Sequence, residues 1–209
     1  MSLMLATSGK HHWERIYSTN AESAVSWYQA EPRLSLELIQ SVSPTAGGRI
    51  IDVGGGASVL VDKLLELPFD EIAVLDISET ALRKARARLG GRARRVRWVV
   101  ADVTQGPDLG SFDVWHDRAA FHFLTDADDR KRYVDLARKT VPEGGHLVIA
   151  SFADDGPKRC SDLDVRGYNA RSLEAELGEG FLLRKESRET HTTPWGSLQP
   201  FIYGVFERL

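Results

Sequence analysis

The 209 residues predict an α/β protein: a three-layer sandwich around a mainly parallel sheet of seven strands, ending in a C-terminal antiparallel hairpin and preceded by a small N-terminal helical lid. Three observations carry this reading. From Arg49 onward, short β-rich runs alternate with longer stretches of helical period. Each run is short and largely apolar, as strands covered on both faces must be. Near the C-terminus the alternation stops, and two strand-like runs are separated only by a turn-rich segment containing Pro194, Gly196 and Ser197.

Taken in order, residues 11–42 read as an aromatic-bearing helix, a polar loop and a second helix opening at Pro32, a favourable first-turn residue. The turn-rich stretch 43–48 separates this cap from the core, so residues 1–48 are a cap rather than a domain and 49–209 form the single domain. Residues 1–3, ahead of a second methionine at Met4, read as an added extension. Strands are expected at residues 49–53, 72–76, 96–100, 113–116 and 146–151, with helices near 58–67, 78–89 and 126–141. Ser78 and Thr125 are placed as N-caps and Gly144-Gly145 as a helix stop. The hairpin strands are expected at 181–189 and 200–207.

Composition narrows the partners. A net charge of −3 and 27% charged residues give no general attraction to nucleic acid or anionic membrane. No run is long and apolar enough to span a membrane, so neither partner is expected. Cys160 is the single cysteine, which excludes an internal disulfide and a cysteine-based zinc site and suits a reducing, cytoplasmic setting. No metal site is expected. Residues 83–97 hold eight basic side chains and no acid, but Arg83, Lys84, Arg86 and Arg88 point in several directions on a helix, so the run reads as a solvated helix and loop.

The first strand runs directly into three glycines in "IIDVGGGAS", residues 50–58. Glycines there let the backbone turn tightly and approach a ligand where side chains would clash. Asp76 closes the second strand 24 residues after Asp52, and Asp102 sits just past the third. All three acids fall at strand C-terminal ends, the edge where open α/β sheets bind ligands, and an acid at the position of Asp76 can accept hydrogen bonds from both ribose hydroxyls. Together they outline a nucleoside site. A nicotinamide dinucleotide fits less well, because that fingerprint wants glycine where Val59 stands and no second domain holds a hydride acceptor.

These residues resemble the Rossmann-like class I S-adenosylmethionine-dependent methyltransferases. "DVGGGAS" is similar to that family's D/E-x-G-x-G-x-G loop, with Asp52, Gly54 and Gly56 matching, Gly55 between them and Ser58 replacing the third glycine. The resemblance implies that Asp76, with Ile77 beside it, holds the ribose, that Asp102 and Val103 hold the adenine, and that backbone near Gly54 and His116 holds the methionine end. It also implies the terminal hairpin. "WHDRAA", together with the aromatic N-terminal helix, resembles most closely the thiopurine S-methyltransferase-like branch, the match being Asp117, Arg118, Ala119 and Ala120. Protein-lysine methyltransferases carrying D-K-G-T-L-D share Asp117 but have an acid where this chain has His122, which counts against a lysine acceptor.

The expected function is methyl transfer to a small-molecule nucleophile, a thiol or other chalcogen being favoured; the alternatives are a protein-lysine methyltransferase and a non-catalytic S-adenosylmethionine-binding protein. The product would be S-adenosylhomocysteine, and the protein a monomer or homodimer. The catalytic candidates are His122, Asp117 and Arg118. His122 is a candidate base, as is His116, against the alternative of a packed core histidine between two phenylalanines. Arg118 is an anion-binding fork or the partner of an acid such as Asp117 or Asp126. Tyr17 and Trp27, with Trp13 and Tyr28, form either an aromatic wall beside the sulfonium or a staple holding the N-terminal helices. His191 and Trp195 lie in the hairpin turn, and Cys160 reads as an incidental thiol.

Overall fold

The computed structural model describes residues 2–43 and 47–209, with side chains from Gly9 onward. The expected cap–core boundary falls largely on residues 44–46, which lie outside the described ones, as does Met1.

Seven strands form one sheet: β1 (Arg49–Val53), β2 (Glu71–Asp76), β3 (Val96–Val100), β4 (Val114–Arg118), β5 (His146–Phe152), β8 (Phe181–Thr192) and β9 (Leu198–Arg208). Between β5 and β8, β6 (Arg159–Cys160) and β7 (Leu163–Asp164) make a separate two-stranded ribbon. The helices are α1 (Ser2–Thr19), α2 (Arg33–Val42), α3 (Leu60–Leu64), α4 (Glu79–Leu89), α5 (Ala127–Thr140) and α6 (Ala170–Leu177). The sheet order is β3-β2-β1-β4-β5-β9-β8, parallel through β5 and antiparallel in β9 and β8. This is the Rossmann-like three-layer arrangement expected from the alternating pattern.

The apolar strands are buried from both sides because neighbouring residues point to opposite faces. Ile50, Val74, Val114 and Val148 pack with Leu38 and Ile39 of α2, Leu64 of α3 and Leu82 of α4. Ile51, Ala73, Trp115 and Leu147 pack on the other face with Tyr133 and Leu136 of α5 and Leu173 and Leu177 of α6. The order reverses about β1 and β4, and that switch sets the ligand edge at the strand C-terminal ends.

Several details depart from the sequence reading. The helix expected at 58–67 is only Leu60–Leu64. Asp126, not Thr125, caps α5, because its carboxylate accepts from the N–H groups of Asp128 and Asp129. Helix α6 was not anticipated; Asn169 and Ser172 close its first turn with a reciprocal capping box. The fourth strand extends to Arg118, so Asp117 and Arg118 are strand residues whose side chains alternate between faces.

Candidate active site

The glycine loop is fixed to β2 by the N–H groups of Gly54 and Gly55, which donate to the carbonyl of Leu75 at 2.8 and 3.3 Å. Gly54 has φ +70°, and a Cβ there would lie 2.5 Å from the Cβ of Ala120. Gly56 has φ +51°, and its Cβ would lie 2.5 Å from the Tyr17 hydroxyl oxygen. The loop is therefore pressed by the post-β4 turn on one side and roofed by the lid on the other, and only glycine suits either position.

Two clefts meet at this loop. The larger, with a cavity volume of about 150 Å³, has Asp76, Ile77, Asp102 and Val103 on its β2–β3 side and Phe152 and Phe201 on its β5–β9 side. The smaller, about 50 Å³, is lined by Asp52, Gly55, Ser58 and His116 of the core and by Glu22 and Gln29 of the lid. Tyr17, Trp27, Gly54 and Arg118 border both.

On the nucleoside side, Asp76 is buried and its Oδ1 accepts from Ser78 N at 2.7 Å. Burial, helped by the neighbouring Asp52 charge, pushes its carboxyl up to about 7. Asp102 Oδ1 accepts from Thr104 N at 2.8 Å and from Thr104 Oγ1 at 2.7 Å, capping a short turn. In the smaller cleft, Asp52 and His116 are register partners on β1 and β4. His116 Nδ1 lies 2.7 Å from Asp52 Oδ1, and its Nε2 lies 3.0 Å from Ser35 Oγ on α2. Both ring nitrogens are thereby engaged, so the side chain of His116 joins core to lid and is not free to act as a base.

Strand alternation separates two of the three catalytic candidates, Asp117 and Arg118. Asp117 points away from both clefts and is fully buried. Its Oδ1 accepts from Ala120 N at 2.9 Å, and its Oδ2 from Phe121 N at 3.1 Å and Tyr133 Oη at 2.7 Å. Burial raises its carboxyl to about 6. Asp117 thus shapes the turn that holds Ala119 at φ 71° and Ala120 against Gly54, a positioning role.

Arg118 faces the clefts, and its side chain is 9% exposed. Nε donates to Tyr203 Oη at 3.0 Å and Nη1 to the Trp27 carbonyl at 3.1 Å, while the guanidinium lies 4.4 Å from the Phe201 ring centroid. Its acidic neighbour is Glu189 of β8, 3.7 Å from Nη2, rather than Asp117 or Asp126. The oxygens of Glu189 also accept from Gln29 Nε2 at 3.1 and 3.2 Å and from Tyr203 Oη at 3.0 Å.

His122 is fully buried, with ring centroids 4.5 Å from those of Phe123 and Phe152. Its Nδ1 accepts from Phe152 N at 3.2 Å. Desolvation, and then the Arg118 charge, lower its pKa to about 3. The ring is therefore neutral at physiological pH with its proton on Nε2, a donor rather than a base.

The lid is locked at several points. Glu14 accepts from Glu79 N at 2.6 Å at the start of α4, and Arg88 joins Glu22 of the lid to Asp62 and to the carbonyls of Ala57 and Ser58. Trp13 packs edge-on against Trp27 and Phe123. His191 lies within β8 rather than in the turn, where its Nε2–H donates to the Ser26 carbonyl at 2.7 Å. Trp195 is exposed and lines neither cleft. Cys160 borders the larger cleft, but burial raises its pKa and its Sγ lies 3.6 Å from Ser26 Oγ. Among the described residues no cluster of His, Cys, Asp and Glu could hold a metal, and no helix is long and apolar enough to cross a membrane.

Phe152 and Phe201 were not anticipated as site residues. The signal is in the register, where they pair directly across β5 and β9. Ser35, Gln29 and Glu189 carry no local signal, since their partners lie 81 and 160 residues away.

Residues 51–147 match the family model described as a methyltransferase domain. The chain is 28% identical over 187 residues to the eEF1A lysine and N-terminal methyltransferase of Bos taurus, covering 85% of this chain and 26% of that protein. It is 29% identical over 160 residues to the ubiquinone biosynthesis O-methyltransferase of Ralstonia nicotianae, covering 76% of this chain and 60% of that protein. It thus spans less than two thirds of the length of either relative. Among solved structures, the N-methyltransferase NodS of Bradyrhizobium japonicum in complex with S-adenosylhomocysteine superposes with a TM-score of 0.72 at 18% identity, covering 95% of this chain and 98% of that one. Residues 51–147 are thus similar to a methyltransferase domain, and the chain has the fold of S-adenosylmethionine-dependent methyltransferases.

Proposed function

We propose that this chain is an S-adenosylmethionine-dependent methyltransferase acting on a small-molecule nucleophile, with a thiol or other chalcogen as the favoured acceptor. The observation that carries the reading is the meeting of two clefts at Gly54, one edged by Asp76 and Asp102 and the other by Asp52, His116 and Arg118. The residues fit the donor: a side chain at Gly54 or Gly56 would fill the cradle, and Asp76 presents a buried carboxyl at the strand end where a ribose diol binds.

Asp76 and Ile77 would hold the ribose, and Asp102 and Val103 the adenine. The glycine loop, Ser58 and the Asp52–His116 pair would border the methionine end, where Arg118 can take the carboxylate. Bound S-adenosylmethionine supplies an activated methyl group on a sulfonium. The protein's part is to orient the acceptor and exclude water. Tyr17, Trp27 and Trp13 wall the junction, while Asp117 holds the Ala119–Ala120 turn beside it. Its single, buried cysteine supports a cytoplasmic setting.

A protein-lysine acceptor is the second reading, favoured by the similarity to the eEF1A lysine and N-terminal methyltransferase of Bos taurus. The test is calorimetry with S-adenosylhomocysteine, followed by a product-linked screen of thiols, carboxylates, amines and a lysine peptide. Saturable binding with turnover of a small acceptor supports the proposal. Turnover of the peptide alone selects the second reading, and binding without product from any acceptor class leaves a non-catalytic S-adenosylmethionine-binding protein.

A further inference from the structure

The end of the larger cleft away from Asp76 and Asp102 is walled by Trp13, Trp27, Phe123, Phe152 and Phe201, and Arg118 and His122 stand among them. The two flank Phe201, with the guanidinium 4.4 Å and the imidazole 6.4 Å from its ring centroid. Arg118 Nη2 and His122 Nε2 are each closed to water and have no hydrogen-bond partner among the described residues. Because His122 Nδ1 accepts from Phe152, Nε2 is a donor, as is every guanidinium nitrogen.

Buried donors left unmet are costly, and folded proteins keep few of them. Here two stand at one chamber, one on a permanent cation, and the remaining titratable group of that wall, Cys160, is a buried thiol beside Ser26. Glu189 offsets the charge of Arg118 from 3.7 Å but lies outside the chamber wall, with its oxygens committed to Gln29 and Tyr203.

We propose that the acceptor is an apolar-bodied anion, a carboxylate or thiolate, whose charged end is held by Arg118 Nη2 and His122 Nε2 while its body packs on the aromatic walls. The inference rests on the methyltransferase reading and narrows its substrate class. Transfer to such an anion needs no base: a lone pair of the anion forms the new bond to carbon, the carbon–sulfur bond of the sulfonium breaks with its pair kept by sulfur, and no proton is released. An amine fits poorly. As an ammonium it is repelled by Arg118, and as a free amine it must pass a proton to a base that this wall lacks.

The experiment is titration calorimetry on the full chain saturated with S-adenosylhomocysteine, using trans-cinnamate, thiobenzoate and phenethylamine as probes. At least one anion should bind about tenfold or more tightly than the amine, the factor expected for one charge-assisted hydrogen bond. His122→Phe and Arg118→Gln should each weaken that anion about tenfold; the amine should be unchanged in His122→Phe and no weaker in Arg118→Gln, which removes the repelling charge. Comparing cinnamate with thiobenzoate distinguishes an oxygen from a sulfur acceptor. The wild-type comparison stands alone if either variant fails to fold. The inference is overturned if neither anion binds or if phenethylamine binds as tightly as both. Failure of S-adenosylhomocysteine itself to bind is a separate result that removes the methyltransferase reading. During turnover in weak buffer with a pH indicator, an anionic acceptor releases no proton, whereas one proton per product would contradict the assignment.

Discussion

Asp76 makes cofactor affinity depend on pH in a calculable way. Its carboxyl lies at the end of β2, buried beside the Tyr17 ring and the Asp52 carboxylate, with a pKa raised to about 7 chiefly by loss of water. One oxygen already accepts from Ser78 N, so two ribose hydroxyls can both donate only if the group is ionised. A proton and the ribose therefore compete. The folded free protein holds that proton below about 7, and affinity is full only above it. One pKa unit corresponds to 1.36 kcal/mol, so the dissociation constant for S-adenosylhomocysteine should rise about tenfold at pH 6 and about a hundredfold at pH 5, relative to pH 8. Calorimetric titrations at four pH values between 5 and 8 measure this directly. In Asp76→Asn the affinity should be weaker throughout and nearly level over the same range. A wild-type curve that is flat down to pH 5, or a variant that keeps the bend, would refute the assignment of the ribose to Asp76.

Two further perturbations test the scaffold. Gly54→Ala places a side chain at φ +70° and 2.5 Å from Ala120, which should cost about 1–2 kcal/mol in backbone strain and weaken S-adenosylhomocysteine at least about tenfold; unchanged affinity would mean the loop does not face the ligand. Tyr133→Phe removes the hydroxyl that donates to Asp117 and accepts from Trp115 Nε1 at 2.8 Å, leaving the buried Trp115 N–H unmet and the buried Asp117 carboxylate with one donor fewer. Urea unfolding should show a loss of about 2–4 kcal/mol; a loss within error of zero would remove Asp117 as the organiser of the turn.

Much of this architecture was legible because it is local. Short apolar runs with helical stretches between them marked the five parallel strands, and the glycines between an apolar strand and a helix marked the ligand edge. Ser78 was readable as a cap because its oxygen acts on Ala81, three residues on. What escaped the reading depends on distance or direction. Asp117 and Arg118 are adjacent in sequence, yet strand alternation sends one to Tyr133 and the other to Trp27, which no motif could announce. The role of His122 turned on which ring nitrogen meets the Phe152 N–H, and Phe152 is 30 residues away. Arg88, read within a solvated basic run, proves to bind two acids and two carbonyls contributed by the glycine loop, its helix and the lid. Helix α6 was missed although its apolar residues Ala170, Leu173 and Leu177 keep helical spacing.

Arg118 borders both clefts with a single guanidinium. An anion that draws this charge from one side changes what the opposite chamber experiences, so the two occupants cannot be energetically independent. Thermodynamic linkage then requires reciprocity: whatever factor the donor's tail exerts on acceptor affinity, the acceptor returns in equal measure. One shared side chain would thus link the donor and acceptor sites.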